Sequence, residues 1–203
     1  MPRLALALCI VWFISLFLFR SFVQWKRTGA TGFKGFHGRV GSLEWLAGMA
    51  ATAGLVLAPL APLASVYGWR GGELWFMNAT AHVAGAMLAG AGILGALAAQ
   101  LNMGSSWRIG VDESERTTLV TDGLFAWVRN PIFSCIWISL LGFWLLIPSS
   151  LALLAFVLTI VGIELQVRAV EEPYLQQAHG ESYARYAAAV GRFAPGFGRL
   201  ADD

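Results

Sequence analysis

Apolar residues run through this chain in long blocks separated by shorter polar segments. Five runs stand out: Leu4–Trp25, Leu43–Trp69, Phe76–Leu101, Ile132–Ile147 and Leu151–Val167. A helix needs about 20 apolar residues to cross a hydrocarbon core, so the pattern predicts about five transmembrane helices. Ile132–Ile147 is short for a span and is expected to tilt little or to extend into its flanks. The last two runs are joined only by Pro148-Ser149-Ser150, and so short a connection requires an antiparallel helical hairpin.

Details within the runs sharpen the expectation. No small-residue cleavage site follows Leu4–Trp25, so a retained first helix is expected rather than a signal peptide. Arg20, near its far end, is expected to snorkel to the interface. Pro59 and Pro62 predict a kink or break in the second run. Trp69 and Trp75, bracketing Arg70 and Glu73, read as an interfacial aromatic belt. In the third run, Gly85 and Ala89, Ala86 and Gly90, and Gly92 and Ala96 stand at the spacing that lets helix backbones approach closely in lipid. His82 in the same run is either functional or held by an interhelical hydrogen bond, and the hydrogen bond is the expectation.

Composition agrees with this pattern. The chain has 203 residues, 57% hydrophobic and 13% charged, against about one-quarter charged in soluble domains. The fold class is therefore an all-α polytopic membrane protein. The net charge of +2 is small and forms no basic face, which excludes nucleic acid as a partner. Cys9 and Cys135 sit in apolar runs without metal-ligand spacing and read as small core residues, so no metal site is expected.

Charge also sets an orientation. Lys26, Arg27, Lys34, Arg39, Arg108, Arg116, Arg129, Arg168, Arg185 and Arg192 share one side, and only Arg3 and Arg70 fall on the other. The positive-inside rule places the N-terminus outside and the C-terminus in the cytoplasm. Lys26–Ser42, with Lys26, Arg27, Lys34, His37 and Arg39, is glycine-rich. Its spacing does not fit a phosphate-binding loop and no strand precedes it, so it reads as a plain loop. Asn102–Asn130 is the second polar loop, carrying Arg108, Asp112, Glu113, Glu115 and Arg116.

Polar chemistry concentrates in two places on the cytoplasmic side. Leu119–Phe133 reads LVTDGLFAWVRNPIF. Asp122-Gly123 is a turn signal. Pro131 disfavours the α conformation at Asn130 and is well placed to begin a helix. A guanidinium, Arg129, then stands beside a helix N-terminus, an arrangement suited to a carboxylate or phosphate; an ordinary positively charged helix flank is the alternative. The second place is Glu164–Pro195. Glu164, Arg168 and Glu171 recur at helical spacing, Glu172 and Leu175 follow, and Gly180 breaks the helix. Tyr183 and Tyr186 then flank Arg185 on a short amphipathic helix. A solvated surface helix with intrahelical ion pairs is the alternative.

RNPIF at 129–133, R-x-x-E-E at 168–172, G-E-x-Y-x-x-Y at 180–186 and R-F-x-P at 192–195 together resemble the isoprenylcysteine carboxyl methyltransferase family, which includes bacterial integral-membrane members. The resemblance runs from Gly104 to Pro195. It divides the chain into N-terminal helices, 1–103, and a cofactor-binding half, 104–203, within one integrated membrane domain. The commonest family pattern is Arg-His-Pro-x-Tyr, and this chain has Asn130 and Phe133 in place of the histidine and tyrosine. Asparagine at that place also occurs in the related phospholipid N-methyltransferases and in membrane sterol reductases.

The resemblance implies S-adenosylmethionine as cofactor, bound between the hairpin and the C-terminal helix by Arg129, Asn130, Pro131, Phe133, Glu171, Glu172, Tyr183 and Tyr186. It implies Arg129, Arg168 and Glu172 as catalytic residues and a bacterial inner-membrane protein whose lipophilic or prenylated substrate enters from the bilayer. An arginine fork suits the cofactor carboxylate, a glutamate its ammonium or ribose, and aromatic rings its adenine or sulfonium. A lipid-borne carboxylate acceptor, held by Arg168, needs no base. An amine acceptor, as in lipid N-methylation, needs one, and Glu172 is the candidate. Successive helical residues point about 100° apart, so Glu171 and Glu172 are expected to differ, with Glu172 nearer the cofactor. Two other classes compete: an NADPH-dependent membrane reductase, which G-E-x-Y-x-x-Y argues against, and a non-enzymatic membrane scaffold or transport subunit.

Overall fold

In the computed structural model, residues 1–33, 35, 38–69, 78–110 and 118–200 are described. Lys34, His37, Arg70, Glu73, Trp75, Phe76, Asp112, Glu113, Glu115 and Arg116 lie outside the described residues. Six helices occur among the described residues: α1 Pro2–Thr28, α2 Leu43–Val66, α3 Ala79–Asn102, α4 Pro131–Leu146, α5 Ser150–His179 and α6 Glu181–Ala189. Four are long and apolar enough to cross a membrane, and α4 is a shorter apolar helix of 16 residues. The protein is thus an all-α integral membrane protein.

Local signals start and stop these helices. Ser42, Asn78 and Ser149 accept hydrogen bonds from the backbone N–H of Trp45, Ala81 and Ala152 at 3.3, 2.7 and 3.2 Å, satisfying donors that have no intrahelical partner. Pro131 opens α4. Gly29, at φ +77°, closes α1.

Small residues set the packing. Along α3, a Cβ added at Gly85 would lie 2.8 Å from the Gly142 carbonyl oxygen, and one at Gly92 would lie 2.5 Å from the Ser139 nitrogen. Gly142 on α4 returns the contact, 2.4 Å from the Ala89 nitrogen. Gly85, Ala89, Gly92 and Ala96 are therefore the face that meets α4. The expected Ala86–Gly90 row is not part of it, because a Cβ at Gly90 meets nothing within 4 Å. The same device joins α2 to α5, where a Cβ at Gly162 would lie 2.2 Å from the Ala51 nitrogen. Helix α1 contributes Cys9, Trp12 and Leu16 to the core shared with α3, α4 and α5.

Two expectations fail, and of the kink or break expected in the second run the break is absent. Helix α2 continues through Pro59 and Pro62 without a break, as membrane helices tolerate when the freed backbone groups find other partners. His82 Nε2 is buried and has no hydrogen-bond partner among the described residues. Arg20 does not snorkel; it is 0% exposed. Its Nε donates to the Gln100 carbonyl at 3.3 Å, one Nη to Gln24 Oε1 at 3.1 Å and the other to the Gly104 carbonyl, while the guanidinium lies 4.5 Å over the Trp107 ring. The carbonyls at the end of α3 lack intrahelical donors, and Arg20 supplies them from α1. That demand turns the side chain inward.

Candidate functional site

The site begins where α3 hands over to the loop before α4. Gly123 sits at φ +56°, a conformation that side chains rarely adopt. A Cβ there would lie 2.0 Å from Asn102 Oδ1. That oxygen accepts from the Leu124 N–H at 3.1 Å and fixes a tight 3-10 turn, Gly123–Ala126. The chain then stays out of the α region, as Pro131 demands: Asn130 has φ −123° and ψ 59°. In this stretch it pairs with the C-terminal tail. The Arg129 N–H donates to the Gly191 carbonyl at 2.8 Å and the Asn130 N–H to the Arg192 carbonyl at 3.0 Å. Asn130 Nδ2 also donates to the Arg192 carbonyl, and Ser134 Oγ donates to that of Phe193.

A buried ionic clasp locks this pairing. One Arg129 nitrogen, Nη1, donates to the carbonyls of Ala187 and Val190, both at 2.7 Å. The other, Nη2, donates to Glu172 Oε1 at 2.7 Å and to the Gly198 carbonyl at 3.1 Å. Arg192 grips the same carboxylate with two nitrogens, at 2.7 and 2.8 Å. Its hydrogen bonds to Glu172 hold the Arg192 guanidinium above its ordinary pKa against the opposing effect of burial.

Above the clasp lies a cavity of about 260 Å³, near the lower end of the range for small-molecule sites. Helices supply its apolar wall: Phe17, Ala51, Leu55, Ile132, Phe133, Ile136, Ile163 and Val167. The loop before α4, the end of α5 and α6 supply polar groups: Arg108, Arg129, Asn130, Glu171, Glu172, Tyr183 and Tyr186. Glu171 and Glu172 both reach it because α5 is locally a π-helix over Val167–Glu171. This wider turn spaces successive residues by less than the α-helical 100° and recurs at functional sites.

The residues expected from sequence divide into two groups. Arg129, Asn130, Pro131, Phe133, Glu171, Glu172, Tyr183 and Tyr186 come together around one cavity. Arg168 does not join them. Its side chain is 56% exposed and pairs with Glu164 one helical turn away, so it is not placed to hold an acceptor. Arg129 has a different partner set from the one expected. Both fork nitrogens are engaged by the protein, and Nε is its unused donor. Glu172 is likewise engaged by two guanidiniums, whereas Glu171 makes no hydrogen bond or ion pair among the described residues. The geometry thus gives the supporting part to Glu172, where the sequence favoured Glu171.

The two tyrosines also differ. Tyr186 Oη donates to the Phe125 carbonyl at 2.7 Å, tying α6 to the 3-10 turn. Burial pushes its phenol up to about 12, opposed by Arg129. Burial, then the Glu172 and Glu171 carboxylates, raise the Tyr183 phenol, with Arg129 and Arg192 pulling the other way. Both stay protonated near neutrality.

Two residues were missed as site members. Arg108 lines the cavity, its guanidinium 4.9 Å over the Tyr174 ring; in the sequence it counted only toward charge asymmetry. Arg192 completes the clasp, and its one signal was its place in the R-F-x-P block.

A comparison with curated proteins finds no match. The profile of a family described as phospholipid methyltransferase matches residues 80–182, just over half of the chain. The matched stretch takes in almost all of α3, the Gly123 turn, the α4–α5 hairpin and the first residues of α6. The chain belongs to the phospholipid methyltransferase family, membrane methyltransferases of lipid-type substrates related to the isoprenylcysteine carboxyl methyltransferases.

Proposed function

We propose that the protein methylates the amine headgroup of a membrane lipid with S-adenosylmethionine, in a bacterial plasma membrane with the cavity on the cytoplasmic side. One observation carries the choice of acceptor: Glu171 is a cavity carboxylate with no ion-pair or hydrogen-bond partner among the described residues. An ammonium must lose a proton before its nitrogen can attack, and Glu171 is placed to take it. The arginine expected to hold a carboxylate acceptor is elsewhere engaged: Arg168 pairs with Glu164.

The lining fits the cofactor's chemistry. Aromatic faces of Phe125 and Tyr186 suit adenine or sulfonium, and Arg108 and the unused Arg129 Nε–H suit a carboxylate. When bound, S-adenosylmethionine supplies an electrophilic methyl group. The chain's own task is positioning: the apolar wall receives the lipid chain, the clasp fixes the polar wall, and the enclosed site excludes water. Glu171 accepts the one proton that the acceptor nitrogen releases.

Arg108 supports a second reading, since a cavity-lining guanidinium suits a lipid carboxylate and no base is then needed. Purified protein in vesicles, given methyl-labelled S-adenosylmethionine, separates the two. Label is expected in vesicles containing an aminophospholipid and not in vesicles whose added lipid is a prenylated cysteine. The reverse result establishes the carboxylate reading, and label in neither refutes both. For orientation, a Gly35→Cys variant in intact cells is expected to resist impermeant thiol reagents added outside; efficient labelling would invert the topology.

A further inference from the structure

Two glutamines line the cavity without a part in the clasp or in proton transfer: Gln100, near the end of α3, and Gln166, on α5. Gln100 is 3% exposed. Its Nε2 donates to the Leu16 carbonyl on α1 at 3.0 Å. That bond fixes the amide, because turning it over would set two oxygens against each other. Oε1 is therefore the free end, and it is buried without a hydrogen-bond partner among the described residues. Arg20 does not supply one, since it donates to the backbone carbonyl of Gln100. Gln166 Oε1 is buried and unpartnered in the same way. Burying an acceptor without a donor is unfavourable. Two such acceptors around one cavity point to a ligand that brings donors.

Their position favours the lipid over the cofactor. On α5 the cavity is lined in turn by Ile163, Gln166, Val167 and Glu171, so Gln166 lies between the apolar wall and the proposed base. Gln100 is tied to Leu16, the chain neighbour of Phe17 in the same wall. A headgroup whose chain lies against that wall, and whose nitrogen approaches Glu171, passes this boundary. We propose that the side-chain oxygens of Gln100 and Gln166 accept hydrogen bonds from the N–H groups of the lipid's amine, and so rank headgroups by the methyl groups they already carry. This rests on the reading that the acceptor is an aminolipid. A primary ammonium yields one proton to Glu171 and keeps further N–H donors for the amides. A dimethylated ammonium has none beyond the one it yields. Each transfer replaces an N–H by an N–CH₃, so a quaternary product has no donor left to hold it. Neutral amides suit the task, because they accept from the nitrogen both before and after it loses its proton.

A selectivity ratio separates this role from a structural one, because lost packing would weaken all headgroups alike. The full-length protein is placed in phosphatidylglycerol vesicles that carry a phospholipid with either a primary or a dimethylated amine headgroup. Transfer from methyl-labelled S-adenosylmethionine gives kcat/KM on each, and the ratio of primary to dimethylated is compared among wild type, Gln166→Met and Gln100→Met. The Gln166 side chain makes no hydrogen bond among the described residues, so Gln166→Met is expected to melt as wild type. Its ratio is expected to fall roughly tenfold. Gln100→Met also loses the bond to Leu16. It is expected to melt lower, with its ratio falling in the same direction. An unchanged ratio in Gln166→Met overturns the proposal, whatever the overall rate. A falling ratio in Gln166→Met with an unchanged one in a folded Gln100→Met removes Gln100 from the subsite. No transfer by wild type to either lipid overturns the aminolipid reading, and the subsite with it. Transfer by wild type with unchanged ratios in both variants removes the subsite alone.

Discussion

Glu172→Gln is the sharpest perturbation of the clasp. The substitution keeps the side chain's shape and removes its charge. Three guanidinium hydrogen bonds converge on this carboxylate at 2.7, 2.7 and 2.8 Å. In the variant, one oxygen becomes an NH₂ group that faces donors, and two buried guanidiniums lose their counter-ion. Removing one partner of a buried pair costs about 3–5 kcal/mol. The exposed Arg185–Glu181 pair, at 3.4 Å, is the internal control, since such pairs are worth about 0–1 kcal/mol. At roughly 2–4 °C per kcal/mol for a chain of this length, Glu172→Gln should melt about 6–20 °C lower and Glu181→Gln within about 4 °C of wild type. The loss should appear first in the tail, where the clasp holds residues on both sides of Arg192. Arg192 is buried and Arg199 exposed. Trypsin should therefore cut wild type at Arg199 and the variant at Arg192 as well. A Glu172→Gln protein that melts within a degree of wild type, with Arg192 still protected, would show that the clasp does not hold the tail.

Other substitutions probe separate parts of the argument. Gly123→Ala combines a strained φ of +56° with a Cβ 2.0 Å from Asn102 Oδ1. It should destabilise by about 1–3 kcal/mol and lower activity, which unfolding curves and methyl-transfer assays will read. Glu171→Gln should fold normally yet lose about 10²-fold or more in turnover on an aminolipid; wild-type turnover would remove it as the base. Gly92→Leu should prevent folding, because Ser139 lies within 2.5 Å, while Gly90→Leu should express and melt as wild type. Equal behaviour of these two would refute the assignment of the α3–α4 contact face.

What the sequence disclosed follows from which forces act locally. Hydrocarbon thickness fixes span length, so five helices were legible, as was the hairpin from its three-residue connection. Pro131 acts on its immediate neighbour, so the non-helical Asn130 was legible too. Arg20 was not, because its burial depends on Gln100 and Gly104 carbonyls about 80 residues away. Arg129 stands out in the sequence, but its partners do not. Three of its four acceptors are backbone carbonyls, which leave no mark in a sequence. The roles of Glu171 and Glu172 were argued from regular α-helical geometry. The π-helix over Val167–Glu171 cancels that premise and brings both carboxylates to the cavity.

Methyl transfer demands that two reactants meet in line, and a displacement of about 1 Å can cost on the order of 10²-fold in rate. A wall that meets this demand needs stiff parts that do not touch the reactants. Glu172 joins segments 43 residues away at Arg129 and 20 residues away at Arg192, so none of the three can shift alone. Arg129 also holds the carbonyls of Ala187 and Val190 at the end of α6, the helix that carries Tyr183. Glu171 is the chain neighbour of Glu172. The same clasp therefore sets the position of Glu171 and of the helix that carries Tyr183. The charge balance reinforces the division. Two guanidiniums on one carboxylate leave the clasp with an excess positive charge, and that excess is met by the carbonyls of Ala187, Val190 and Gly198 rather than by a ligand. Engaged groups give position and field, and unengaged groups meet the ligand.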